Sequence, residues 1–349
     1  MTPPILIKCH GVGNDFLIWF DPARPGGALP FRDDGDDARG GASDRAGELD
    51  DDFVRALCDR RTGVGADGVV VARPPIDARA AVAMELRNAD GSRAETSGNG
   101  LRCLALALVR AGVAGSEVAL ETGSGLRRCV VGPPGPGGSS TVSVEMGRLL
   151  LGPELGGTGP GRPQPASGAG PRWTEPRPDP VMAPGAPGPP AASPLLAGLL
   201  AHGFRARLVD AGNPHLVLLG ESLAGVDISA VGPELEATVP GGANVELAAP
   251  TGSESLDLLV WERGAGRTDA CGSGSCAAAA VARAAGLAAD RLEVRNPGGE
   301  LLVELSGPLG SPEAVLSGPA VQVARIEVDL AAFAPHLAAA RPSPEPARP

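Results

Sequence analysis

The chain has 349 residues with a formal net charge of −11, and glycine (51) and proline (36) make up about a quarter of it. Its length predicts two domains. The acidic balance, with no lysine/arginine stripe, argues against nucleic acid or an anionic membrane as a partner.

Hydrophobic residues make up 43%, enough for real cores, so the glycine and proline excess belongs in loops. Lys8 is the single lysine. That leaves one candidate for a pyridoxal phosphate Schiff base, and it lies in an opening strand pattern. No basic start runs into a sustained apolar core, and no run of about 18 apolar residues exists, so neither a signal peptide nor a membrane helix is expected. Six cysteines in so long a chain read as reduced thiols of a cytoplasmic protein rather than a secreted disulfide framework.

In chain order, residues 5–8 and 16–20 read as strands around a turn at HGVGND. Residues 22–51 are acidic and aperiodic, a solvated insertion. Helical spacing returns over Phe53–Cys58, followed by short strands at 69–72 and 84–87. Residues 98–112, GNGLRCLALALVRAG, are apolar nearly all round and predict a helix inside a core. Residues 152–194 read as a disordered or PPII-like, Pro/Gly-rich excursion. Structure resumes near Pro194, with strands at 208–209 and 216–219, and residues 335–349 read as a disordered tail.

The chain carries a diverged internal repeat. Asn88-Ala89-Asp90-Gly91 precedes Ser97-Gly98-Asn99-Gly100 and an apolar helix. Glu262-Arg263-Gly264-Ala265 precedes Cys271-Gly272-Ser273-Gly274 and a small-residue helix, at a constant offset of 174 (88 to 262, 97 to 271). The front pair, Gly13-Asn14 and Gly212-Asn213, is offset by 199, and an extra first-half loop, the acidic stretch 22–51, accounts for the difference. Two related halves meeting face to face would set two helix N-termini opposite one another.

The first turn of a helix leaves N–H groups without partners at the positive end of the macrodipole, so two such starts could hold one carboxylate. The same field is expected to lower the pKa of a cysteine at the helix start, which is where Cys271 stands. A thiolate beside a bound amino-acid carboxylate could remove the α-proton, and position 97 is the partner for the opposite face. Cys103 and Cys276 fall inside apolar helices and read as packing thiols, as do Cys9, Cys58 and Cys129. Cys271 and Cys276 without a nearby histidine pair make a poor zinc signature, so no metal is expected. His215 is open to a second reading as a loop histidine without a role.

KCHGVGNDF (8–16), RNADGSRAETSGNGLRC (87–103), GNPHLV (212–217), ANVE (243–246) and WERGAGRTDACGSGSC (261–276) together resemble the diaminopimelate epimerase family. The resemblance implies an α+β fold of two pseudo-symmetric domains, each a β-sheet barrel wrapped around a central helix, with the active site in the cleft between them. The domains would be 1–125, with 320–331 returning to it, and 126–317. It implies a cofactor-independent isomerase acting on diaminopimelate, and a homodimer. Cys271 takes the place of one catalytic cysteine. Gly98, Asn99, Gly272 and Ser273 would offer backbone N–H groups to the reacting carboxylate. Asn14, Asn88, Asn213, Asn244, Glu262 and Arg263 fall on substrate-binding positions, and His215 and Glu262 on positions that tune the thiols.

Gly68 stands where some members carry a polar side chain, a minor departure. Ser97 stands where the family's other catalytic cysteine belongs. A serine hydroxyl is too weak an acid to rest as a base, though it could donate a proton to a carbanion, alone or with Thr96 or water. Two alternatives therefore stay open: a proline-racemase-like hydroxyproline epimerase or dehydratase, and a non-catalytic amino-acid binder.

Overall fold

The structure, a computed structural model, describes residues 5–20, 49–94, 97–155, 190–191 and 193–333. Most of the acidic stretch 22–51, nearly all of the Pro/Gly-rich stretch 152–194, Thr96 and the tail 335–349 lie outside the described residues.

The first half runs β1 (Ile5–Gly11), β2 (Asn14–Trp19), α1 (Asp51–Cys58), β3 (Gly68–Arg73), β4 (Val82–Asn88), β5 (Arg93–Ala94), α2 (Gly98–Arg110), β6 (Glu117–Thr122), β7 (Gly125–Pro134) and β8 (Ser139–Arg148). The second runs β9 (Leu150–Leu155), α3 (Pro194–Ala201), β10 (Arg205–Asp210), β11 (Pro214–Leu219), α4 (Ile228–Ala237), β12 (Asn244–Gly252), β13 (Ser255–Glu262), β14 (Gly266–Thr268), α5 (Gly272–Ala284), β15 (Arg291–Asn296), β16 (Gly299–Ser306) and β17 (Glu313–Glu327).

Strand pairing repeats between the halves. β1–β2 is antiparallel, β2–β3 parallel, β3–β4 antiparallel and β4–β6 parallel. β10–β11, β11–β12, β12–β13 and β13–β15 follow the same alternation. The barrels then exchange strands. The chain passes from β8 into β9, which pairs with β10, while the far end of β17 pairs with β1. β8 and β17 also pair with each other, antiparallel. Ser143 and Ser317, separated by the repeat offset of 174, face each other there with hydroxyl oxygens 2.7 Å apart. A pseudo-twofold axis passes between them. The boundary expected after residue 125 falls at the first residue of β7, whereas β7 and β8 both pack on α2.

Each barrel encloses one helix. α2 is buried from Gly98 to Leu108, and α5 from Gly272 to Ala282, which is why both sequences are apolar all round. The remaining helices cover outer barrel faces. α1 buries Phe53, Val54, Leu57 and Cys58, while Leu196 of α3 and Ile228 and Leu235 of α4 join a separate cluster on the second barrel.

Two boundaries differ from expectation. Asp50 caps α1 and Asp51 opens it, so the acidic stretch ends as a helix start, its carboxylate meeting the orphan N–H groups of Asp52 and Phe53. Leu150–Leu155 forms a strand although its sequence has little strand signal, because β10 supplies the partner. No helix among the described residues is long and apolar enough to cross a membrane.

Candidate active site

The repeat brings the two helix starts into contact. A Cβ built on Gly272 would lie 3.0 Å from Gly98 Cα, and one on Gly98 would lie 3.3 Å from Gly272 Cα. Only glycine at both positions permits this approach. The residues before them are the N-caps. Ser97 (φ −130°, ψ 119°) accepts from the Gly100 N–H at 3.1 Å, and Cys271 (φ −125°, ψ 121°) accepts from the Gly274 N–H through its sulfur at 3.4 Å. The expected pair at 97 and 271 therefore occupies equivalent sites on facing helices.

A cavity of about 780 Å³ opens beside them. Of the sequence-predicted residues, Asn14, Asn88, Ser97, Asn213, Asn244, Glu262 and Arg263 line it. Cys271 is only 4% exposed and His215 is fully buried, so both stand behind the wall rather than on it. Gly98, Asn99, Gly272 and Ser273 are buried in the helix starts.

The wall residues are held by named partners. Asn14 donates to Asp67 Oδ2 at 2.9 Å and accepts from Asn99 Nδ2 at 3.0 Å. Asn99 Nδ2 also donates to the Ala270 carbonyl at 3.1 Å, which ties α2 to the residue preceding Cys271. The fully buried Arg102 donates to Asn99 Oδ1 at 2.6 Å. Asn244 Oδ1 accepts from the Arg263 backbone N–H at 2.9 Å, and Arg263 Nη1 donates to the Gly241 carbonyl at 3.1 Å. Asn88 donates to Ser92 Oγ at 3.0 Å.

Sequence reasoning missed several wall and support residues. Arg60, Asp67, Asp90, Arg93, Arg267 and Asp269 also line the cavity, giving it charges of both signs. Glu246 is fully buried and lies 2.7 Å from His215 Nδ1. Its signal was available: on a strand, Glu246 shares a face with Asn244, two residues before it.

The expected lowering of the Cys271 pKa is overturned. Burial raises it well above the ordinary thiol value, and Glu262 and Glu246 add to the rise, outweighing the Ser273 and Gly274 hydrogen bonds. Burial likewise raises Glu262, against the hydrogen bond that Thr268 Oγ1 donates at 2.6 Å. In the free protein Cys271 rests as a thiol. Lys8 pairs with Asp15 at 3.0 Å and does not line the cavity. Among the described residues, no group of three or more His, Cys, Asp or Glu side chains gathers as a metal ion would require.

The family model for diaminopimelate epimerase matches residues 42–150 and 207–323, taking in both capped helices. The chain belongs to the diaminopimelate epimerase family. Among its relatives, the diaminopimelate epimerase of Thermobifida fusca is 38% identical, over 93% of this chain and 98% of that protein. The one from Desulforudis audaxviator is 36% identical, over 90% and 96%. O-ureido-serine racemase of Streptomyces lavendulae is 34% identical, over 92% and 95%. Of solved structures, a probable proline racemase from Agrobacterium radiobacter superposes with a TM-score of 0.61 at 18% identity, covering 96% of this chain and 95% of that one. At that identity it shows the fold alone: two barrels around central helices, shared beyond the epimerase family.

Proposed function

We propose that this chain interconverts LL- and meso-diaminopimelate by removing and replacing the α-proton, without pyridoxal phosphate or metal. The observation that carries the reading is the abutting pair of helix starts, capped by Cys271 and Ser97 in one backbone conformation. Backbone N–H groups of Gly98, Asn99, Gly272 and Ser273 receive the α-carboxylate. The mixed charges of the wall, with Asp90 and Arg263 among them, suit a distal end that is itself a zwitterion. This favours diaminopimelate over the cyclic substrate named for the hydroxyproline epimerase of Agrobacterium vitis, whose structure shares the fold.

Cys271 removes the proton on one face. Its thiolate forms when the substrate's α-ammonium enters beside Glu262 and offsets that carboxylate's charge, the thiol proton passing to solvent in the cavity. Ser97 donates its hydroxyl proton to the carbanion from the other face, and solvent in the cavity restores it. Proton NMR of LL-diaminopimelate with the protein in D2O tests substrate and chemistry together. The expected result is deuterium at the α-carbon and appearance of the meso form with no cofactor added. Exchange that appears only with pyridoxal phosphate, or vanishes with EDTA, would refute the mechanism. Solvent exchange and epimerisation both absent would leave the non-catalytic binder.

A further inference from the structure

The two halves differ in what lies beneath each cap. β2–β3 and β11–β12 are equivalent parallel pairs, in which Phe16 stands opposite Gly68 and His215 opposite Asn244. Two residues further along, on the same face, are Val70 and Glu246. A Cβ built at Gly100, in the first turn of α2, would meet Val70 at 3.4 Å, while one at Gly274 in α5 would collide with the Glu246 carboxylate. Ser97 therefore caps a helix resting on apolar Phe16 and Val70. Cys271 caps one resting on a buried carboxylate and imidazole.

We propose that Glu246 is a positioning residue: it fixes the His215 ring with a proton on Nδ1 and, through Nε2, orients the Asn213 amide on the cavity wall. His215 Nδ1 is 2.7 Å from Glu246 Oε1, and Nε2 is 3.0 Å from the Asn213 side-chain amide; an Nε2 without a proton accepts, so it turns the amide N–H toward itself and Oδ1 toward the cavity. An ionised carboxylate only accepts, so the nitrogen facing it is the N–H. Both side chains are fully buried, so no bulk water competes for the ring. Glu246 Oε2 has no hydrogen-bond partner among the described residues, an uncommon state for a buried acceptor that calls for an explanation. Among the described residues, Glu246 on β12 and Glu262 on β13 are the charged groups that face the ring, and the same two carboxylates act on the Cys271 cap of α5. Asn213 lies on the cavity wall, so a turned ring would present the wrong amide atom to substrate.

The inference rests on the proposed use of Cys271, and its test separates the two. The full chain has four histidines, so 15N ring spectra are assignable, with His215 identified by the signal lost in His215→Gln. The wild type is expected to carry a proton on Nδ1 of His215. Glu246→Leu should lose that signature and about 100-fold in kcat/KM with diaminopimelate. Glu246→Gln retains an acceptor oxygen and should recover the signature and most of the rate. A wild-type His215 without a proton on Nδ1, or a folded Glu246→Leu with unchanged spectrum and rate, overturns the proposal. If Glu246→Leu does not fold, the wild-type spectrum decides. The spectrum also stands if the wild type proves inactive, an outcome that would count against the functional reading alone.

Discussion

At the scale of single residues, the serine at position 97 is the point on which the proposed chemistry is most open to test. Sulfur fits the backbone conformation of that position, because Cys271 adopts it within a few degrees while capping a helix of equal length. Ser97→Cys should therefore fold normally and restore a second group able to cycle between acid and base. A barrier lowered by about 1.4 kcal/mol would raise turnover tenfold, easily read from epimerisation rates. Cys271→Ala should abolish α-proton exchange, since among the described residues no other thiol caps a helix start behind the cavity wall. If Ser97→Cys is no faster and Ser97→Ala keeps full activity, position 97 is not a catalytic partner. The sequence singled out both positions, which the structure sets as N-caps of abutting helices, and it expected a lowered pKa for Cys271 where burial raises it. A helix N-terminus favours thiolate, but a linear motif does not reveal that the cap is buried and that Glu262 and Glu246 close in from neighbouring strands.

At the scale of elements, the two helix starts offer a matched comparison. Gly100 and Gly274 hold the same place in the repeat, yet a Cβ fits against Val70 at the first and collides with Glu246 at the second. Gly100→Ala should be near neutral, because the helix propensity gained, about 1 kcal/mol, offsets the tighter contact. Gly274→Ala should cost about 1–3 kcal/mol as an overpacked core position, and should also displace the His215–Glu246 pair. Thermal melts of the two variants check this; equal losses would mean that the carboxylate moves aside freely. Helices α2 and α5 were legible because an all-round apolar run with a capping residue has few other solutions. The hairpins β6–β8 and β15–β17 were not. Consecutive strands pair there as local antiparallel hairpins, but their long partners, β8 on β17 and the strands exchanged between barrels, are contacts that no local pattern encodes.

At the scale of the whole molecule, the exchanged strands merge both barrel interiors into one core, and that core holds protonated thiols. Burial pushes Cys9, Cys129 and Cys276 up to about 12, and Cys58 under α1 likewise. In the unfolded chain these thiols titrate near their ordinary value, about 8.5. Below that pH both states are protonated and the groups contribute nothing to pH dependence. Between about 8.5 and 12 the unfolded state has lost protons that the folded state keeps, so stability must fall as pH rises. Each cysteine contributes at most about 1.4 kcal/mol per pH unit across the window. Arg102 works in the opposite sense, since burial lowers it to about 10, so the measurement is cleanest below that value. The melting temperature should therefore drop steadily from pH 8.5 to 10. Cys276→Ala, in a helix already rich in alanine, should show a shallower drop than the wild type whatever its starting stability. A slope unchanged by that substitution would mean that the buried thiols are not what titrates.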